Sequence, residues 1–165
     1  MAVVSAAELV PDPDVAYLTE ACDLAAASGR AGGGPFGAVV VYGDRVVGRG
    51  ANKVVAANDP TAHAELVALR EAAATLRTYD LSGAVLYASC QPCPMCLAAA
   101  WWARVERVVH ATTSAEAAAA GFDDVEFWEA AARPAAGPCP LRHLPIPGAE
   151  EPLRRWATDP RRRPY

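Results

Sequence analysis

The chain has 165 residues, 53% of them hydrophobic and 21% charged, and carries a formal net charge of −4 at pH 7. This length and composition exclude a disordered protein and allow one domain with an ample hydrophobic core. The negative net charge argues against a long polyanionic partner such as a nucleic acid, although the C-terminal end is locally rich in arginine.

The first half of the chain predicts a helix, a hairpin and a second helix. Pro13 lies between two aspartates, which is typical of the first turn of a helix, and Ser28-Gly29 ends that helix. Gly43-Asp44 joins two apolar runs and is a hairpin signal. Asn58-Asp59-Pro60 then breaks the chain and supplies the N-cap of the next helix. The predicted strands cover 36–42 and 45–51.

The second half predicts an alternation of strands and helices. The predicted elements are strands over 83–90 and 105–111, helices over 94–103, 114–120, from about 125 and over 150–158, and a short strand around 141–144. The strand–helix–strand order requires crossover connections, so we expect a single α/β domain over 1–165, with a sheet covered on both faces. Ligands of such sheets bind beyond the carboxyl ends of the strands.

One histidine and two cysteines have the spacing of zinc ligands. His63 lies at the start of a predicted helix, and Cys93 and Cys96 have the i, i+3 spacing that places both on one helix face. Catalytic zinc sites use three protein ligands, which leaves the fourth position for a water made more acidic by the metal. The pattern H-x-E followed by P-C-x-x-C is the signature of the zinc deaminases.

Glu65 is the candidate acid and base. It follows His63 by two residues, so at the first turn of the helix His63 can face the metal while Glu65 faces the substrate. A positioned proton carrier of this kind contributes about 10²- to 10⁴-fold in rate.

Other interpretations of these residues stay open. A CxxC pair alone also occurs in redox sites and structural zinc clips. Cys90 could complete a closed Cys₃His site with His63, Cys93 and Cys96, which would make the chain a non-catalytic zinc module. Asp124 and its neighbour Asp123 follow a glycine and favour a helix cap on sequence grounds.

Cysteine usage predicts a reducing compartment. The count of five is odd, and three cysteines lie within one short segment, which indicates metal binding rather than disulfides. The first residues lack a basic segment, so no signal peptide is predicted, and no apolar run is long enough to span a bilayer. We therefore expect a cytoplasmic protein without a membrane contact.

The chain resembles the bacterial guanine deaminases of the cytidine-deaminase-like superfamily. The resemblance covers nearly the whole chain and rests on residues 33–38, 52, 58–65, 89–90, 92–96, 102–104, 121–124, 156 and 165. It implies a three-layer α/β/α fold with a mixed five-stranded sheet and Zn²⁺ as the cofactor. The implied reaction is hydrolysis of guanine to xanthine and ammonia.

The resemblance also implies roles for individual residues. The implied metal ligands are His63, Cys93 and Cys96, with Glu65 and Asp124 as proton carriers, and the implied purine contacts are Phe36, Asn52, Ala64, Trp102 and Tyr165. This role for Asp124 replaces the helix cap. In the family the C-terminal segment, here about 150–165, crosses to the other subunit of a homodimer, where Tyr165 completes the site. The sequence departs from the family at Lys53, where a second asparagine is expected.

Several related functions compete with guanine deamination. A deaminase of the same superfamily could act on guanosine, ammeline or a cytosine-type base, and pocket volume decides among these. A tRNA adenosine deaminase shares residues 59–65, but the net negative charge and the segment around Asp124 argue against a long polyanionic substrate.

Overall fold

The computed structural model describes residues 12–122, 124–133, 139, 141 and 143–163. Its helices and strands follow the predicted order closely. They are α1 (Pro13–Arg30), β1 (Gly37–Tyr42), β2 (Arg45–Ala51), α2 (Val54–Ala57), α3 (Ala64–Leu76), β3 (Ala84–Cys90), α4 (Pro94–Trp102), β4 (Arg107–Thr112), α5 (Ser114–Ala119), α6 (Asp124–Ala132) and α7 (Glu151–Thr158). In this part of the chain no helix is both long and apolar enough to cross a membrane.

The sheet is mixed and, in the described residues, has four strands in the order β2-β1-β3-β4. Strand β1 pairs antiparallel with β2 and β3, whereas β3 and β4 are parallel and are connected through α4. The prediction of five strands is therefore wrong for this part of the chain. Of the segment predicted as a short strand, Leu141, His143 and Leu144 lie in no strand, and Arg142 lies outside the described residues. Prolines on both sides of this segment lack the backbone N–H group that pairing in a sheet requires, so a strand cannot extend through them.

The predicted three-layer arrangement is confirmed by the packing of the two sheet faces. Val39, Val41 and Tyr87 pack with Ala21 of α1 on one face. Residues that alternate with them along the strands pack against α3 and α4 on the other face, and this larger cluster includes Ala38, Val40, Leu86, Leu69 and Cys96. The period of two along each strand thus fills both layers of the core.

Two glycines in β2 bring α3 into direct backbone contact with the sheet. A Cβ atom on Gly50 would overlap the carbonyl oxygen of Ala64, and one on Gly48 would overlap that of Ala68. Any side chain at these positions would push α3 away from the strand. The glycines therefore determine how close the first turn of α3 lies to strand β2. Helix α3 begins directly after His63.

An ion pair attaches the start of α1 to strand β4. Arg107 donates from both terminal nitrogens to Asp14, at 2.6 and 2.8 Å, and the Tyr87 hydroxyl donates to the same carboxylate at 2.6 Å. These hydrogen bonds, that from Arg107 above all, lower the pKa of Asp14 to about 2. The carboxylate thus stays ionised at any pH at which the fold is expected to function.

We expect Gly50→Ala to destabilise the protein by about 1–3 kcal/mol, because the added methyl group overpacks the α3–β2 contact. Gly29→Ala is the matched control, since its added Cβ would meet Pro35 at an ordinary contact distance of 3.4 Å and it lies in a helix, where alanine is favoured. Urea unfolding of both variants measures the difference. Equal stability of Gly50→Ala and the parent would contradict the close backbone contact.

Candidate metal centre and adjoining cavity

The metal-ligand candidates lie at two helix N-termini that meet beyond the carboxyl end of β3. His63 is the N-cap of α3 and Cys93 is the N-cap of α4, and both have extended backbone angles, with φ of −66° in each case. Neither side chain caps its own helix. Both side chains are therefore available to face each other across the gap between the helices.

The three candidates form one compact group. The His63 Nδ1 atom lies 3.6 Å from the Cys93 sulfur and 3.5 Å from the Cys96 sulfur, and the three ligand atoms lie within 4.8 Å of one another. Two sulfurs and one imidazole nitrogen are a donor set that zinc prefers. The donor chemistry and the spacing therefore fit a zinc ion with three protein ligands, bound by His63 through Nδ1.

Mutual interactions shift the pKa values of all three side chains. A hydrogen bond with Cys96 is the main reason that the pKa of Cys93 falls to about 4, and the same contact raises the pKa of Cys96. The hydrogen bond to Cys93 also raises the pKa of His63. Metal binding would release these protons, so affinity for the ion will depend on pH.

Cys90 lies outside this group of potential ligands in the described structure. It is buried at the end of β3, and its thiol donates to the carbonyl oxygen of Thr113 at 3.5 Å. Burial raises the pKa of this thiol. The geometry therefore favours a site with three ligands over the closed Cys₃His site that the sequence left open.

Glu65 lies beside the group in the first turn of α3. It is 8% exposed, and desolvation by the surrounding protein raises its pKa. Interaction with the thiol of Cys96 partly offsets this rise in the pKa of Glu65. The carboxyl group is thus held next to the candidate metal ligands without belonging to their set.

A cavity of about 190 Å³ opens onto His63 and Cys93, two of the three candidate metal ligands. Its lining residues are Phe36, His63, Cys90, Gln91, Cys93, Ala117, Phe122, Asp124 and Phe127. Phe36 and Phe122 make an edge-to-face contact with ring centroids 4.7 Å apart. Asp124 is the first residue of α6 and faces the same cavity as His63, whereas Asp123 lies outside the described residues.

The other described residues that the resemblance assigns to the purine lie outside this lining. Asn52 accepts a hydrogen bond from the Val54 amide at 3.2 Å, and Ala64 is fully buried in α3. Trp102 is 61% exposed and lines a separate groove between α3 and α4. It is the last residue of α4, nine residues long, so about 13 Å of helix separates it from Cys93. Tyr165 falls outside the described part of the chain.

Several residues that line the cavity have no role predicted from the sequence. Phe127 follows Asp124 by three residues in α6, and this spacing places both on one helix face. Gln91 directly follows β3, at the carboxyl end where ligands of such sheets bind. The sequence contains both the spacing of Phe127 from Asp124 and the position of Gln91 after β3. Their meaning becomes clear only once the bounds of α6 and the order of the strands are known.

Comparison with known proteins matches a family model, described as cytidine and deoxycytidylate deaminase zinc-binding region, to residues 11–112. Guanine deaminase of Bacillus subtilis is 47% identical over 120 residues, which cover 72% of this chain and 77% of that protein. Its X-ray structure superimposes with a TM-score of 0.87 at 38% identity, over 92% of this chain and 98% of that chain.

Two further solved structures are similar over shorter regions. Guanine deaminase from Nitrosomonas europaea has a TM-score of 0.64 at 36% identity, over 68% of this chain and 65% of that one. A structure of tRNA:A34 deaminases, which edit A to I at the wobble position of transfer RNA, has a TM-score of 0.60 at 35% identity, over 62% of this chain and 78% of that one.

We expect Cys96→Ser to lose stoichiometric zinc, because a serine hydroxyl is a far weaker zinc ligand than a thiolate. Cys90→Ser is the matched control and should retain zinc, since Cys90 lies outside the ligand group. Zinc content of the purified variants, measured by inductively coupled plasma mass spectrometry, distinguishes them. Loss of zinc from Cys90→Ser would instead support a closed four-ligand site.

Proposed function

Because the chain belongs to the cytidine and deoxycytidylate deaminase family of zinc-binding proteins, we propose that it hydrolyses guanine to xanthine and ammonia. The observation that carries the proposal is the cavity of about 190 Å³ between an aromatic ring, Phe36, and the His63–Cys93–Cys96 group. Its size and partly apolar lining suit a single planar base. The similarity to two guanine deaminases supports guanine as that base.

We assign zinc to His63, Cys93 and Cys96. When bound there, zinc supplies a Lewis acid that makes water acidic enough to act as a nucleophile near neutral pH. The protein's own contribution is to hold three ligands at helix N-termini, where the helix dipoles favour the thiolate forms. Burial of both cysteines keeps competing water away from the sulfurs.

Glu65 carries protons in this account. Its place in the first turn of α3, beside His63 and against Cys96, puts a carboxyl group next to the reacting centre. The attacking water gives a proton to Glu65, and the ring nitrogen beside the reacting carbon receives one. The water oxygen forms the new bond to that carbon and then gives up its second proton as the C=O bond forms. The amino group takes up one proton, its bond to the carbon breaks, and ammonia leaves.

Asp124 and Phe36 complete the catalytic cavity. Asp124 shares the cavity with His63, which suits a second proton carrier for the departing nitrogen. Phe36 is held edge-to-face by Phe122, so its own face can stack on the purine. We assign Asn52 to the edge of the base and the Ala64 amide to its ring, in line with the family resemblance.

Exposed apolar side chains in and before α7 support assembly of a homodimer. Leu153 and Trp156 lie three residues apart on α7 and remain 71% and 46% exposed, and Leu141, Leu144 and Ile146 are exposed as well. Apolar side chains exposed in this number are typical of an interface. We propose that a C-terminal arm, about residues 150–165, crosses to a second copy, where Tyr165 completes the substrate site. We assign Trp102 to a wall of that site.

The cysteine chemistry also supports a reducing, cytoplasmic location. All five cysteines are free, and a zinc site with two thiolate ligands needs its thiols unoxidised.

Release of ammonia by the zinc-loaded protein tests the reaction and its substrate. We expect guanine to give the highest kcat/KM in a panel that also holds guanosine, ammeline, cytosine and a tRNA with adenosine at the wobble position. A leading rate on the tRNA, falling steeply with salt, would favour the tRNA deaminases instead. No ammonia from any of them would contradict the enzymatic function.

Trp156→Ser should weaken the dimer, because it removes the large ring from the apolar side of α7. Arg155→Ala is the matched control on the same helix, since Arg155 is highly exposed and pairs with Glu151 of its own helix. Light scattering after size-exclusion chromatography gives the mass of each variant. A monomeric parent protein, or a dimer unaffected by Trp156→Ser, would contradict the role of the arm.

A further inference from the structure

The Ser28 hydroxyl group links the last turn of α1 to the loop before β1 and to the residue after β2. Ser28 is 7% exposed, and its Oγ donates to the carbonyl oxygen of Gly34 at 2.7 Å and lies 3.3 Å from that of Asn52. A hydroxyl carries one proton, so the shorter bond to Gly34 is the main one and Asn52 shares it. The Gly33 N–H donates in turn to the carbonyl oxygen of Ser28 at 3.0 Å. One buried side chain is therefore bonded to two segments that the β1–β2 hairpin separates in the chain.

Each of these two segments carries a residue that we assign to the bound base. Phe36 lines the cavity, and its N–H donates to the carbonyl oxygen of Gly34 at 2.8 Å, the same oxygen that Ser28 contacts. The Asn52 N–H donates to the carbonyl oxygen of Phe36 at 3.1 Å. The positions of the stacking ring and of the edge-binding amide are thus coupled through backbone groups that Ser28 holds.

Gly34 also leaves room for the Asn52 side chain. A Cβ atom on Gly34 would lie 3.0 Å from the Asn52 Cγ, and 3.2 and 3.3 Å from its amide oxygen and nitrogen, closer than side chains normally approach. The Asn52 Oδ1 accepts from the N–H of Val54 at 3.2 Å, so the amide has little freedom to move aside. A shift of Gly34 toward Asn52 would therefore displace the amide proposed to bind the base.

We propose that Ser28 is a positioning residue, whose hydroxyl holds Phe36 and Asn52 in the arrangement that binds the base. This inference rests on the proposed function. Ser28 is not among the described residues that line the cavity, so it acts through the carbonyl oxygens that it contacts. Without the hydroxyl, the loop around Gly34 would have to be ordered when the base binds, which costs affinity.

The test compares Ser28→Ala with Thr19→Ala, a matched control on the same helix. The Thr19 hydroxyl also donates to a carbonyl oxygen at 2.7 Å, but that oxygen belongs to Val15 within α1 itself. For each variant and the parent protein we would measure kcat and KM on guanine, zinc content and the inhibition constant of xanthine. Xanthine lacks the amino group that the reaction removes, so its inhibition constant reports binding of the base alone.

We expect Ser28→Ala to raise the KM for guanine and the inhibition constant of xanthine together by about 3- to 10-fold, as for the loss of one hydrogen bond. Its kcat and zinc content should match those of the parent, because the weakened interaction is with the base and not with the metal or the reacting atoms. Thr19→Ala should match the parent in all four measurements. A Ser28→Ala variant with both constants unchanged would overturn the proposal even if it is less stable, and so would a loss confined to kcat or zinc content.

Gly34→Ala tests the same arrangement without a change at Ser28. Its added Cβ would press on the Asn52 amide, so the KM for guanine and the inhibition constant of xanthine should rise in this variant as well. If Ser28→Ala does not fold, Gly34→Ala decides the question, and parental values of both constants would overturn the proposal. A parent protein that releases no ammonia from guanine would instead contradict the proposed function.

Discussion

The contact between the N-terminal ends of α3 and α4 is the interaction on which the site depends. His63 and Cys93 occupy the same capping position on their helices and face each other over a few ångströms. The backbone contact with Gly48 and Gly50 determines how closely α3 approaches strand β2. Strand β3 leads directly into α4 and so determines where α4 begins. Three ligand atoms from distant parts of the chain are thereby held together before any metal binds.

The same turn of α3 couples metal binding to proton transfer. His63 and Glu65 are two residues apart, so any shift of this turn moves a metal ligand and the proposed proton carrier together. Burial raises the pKa of Glu65, and the hydrogen bond with Cys93 raises the pKa of His63. Ala117 of α5, Phe122 between the two helices, and Asp124 and Phe127 of α6 also line the cavity.

Much of the fold and the core of the site could be predicted from the sequence. Strand β2 and the starts of α4 and α5 lie where the patterns of apolar residues, prolines and caps predict them. The prediction of a fifth strand was wrong for the described residues, because it rested on the resemblance and on the short segment 141–144, which has a proline on either side. The orientation of the Gln91 side chain on the cavity lining could not be predicted, because it depends on a hydrogen bond from the amide of Ser114, 23 positions later in the chain.

Glu65→Gln tests most directly whether Glu65 moves protons at a zinc site with three protein ligands. The matched control is Glu71→Gln, an exposed position on the same helix where glutamine keeps an acceptor for the Arg49 amide. We expect Glu65→Gln to retain stoichiometric zinc while its kcat for ammonia release falls by about 10²- to 10⁴-fold. Near-parental turnover in Glu65→Gln, with Glu71→Gln equally active and both loaded with zinc, would contradict this account.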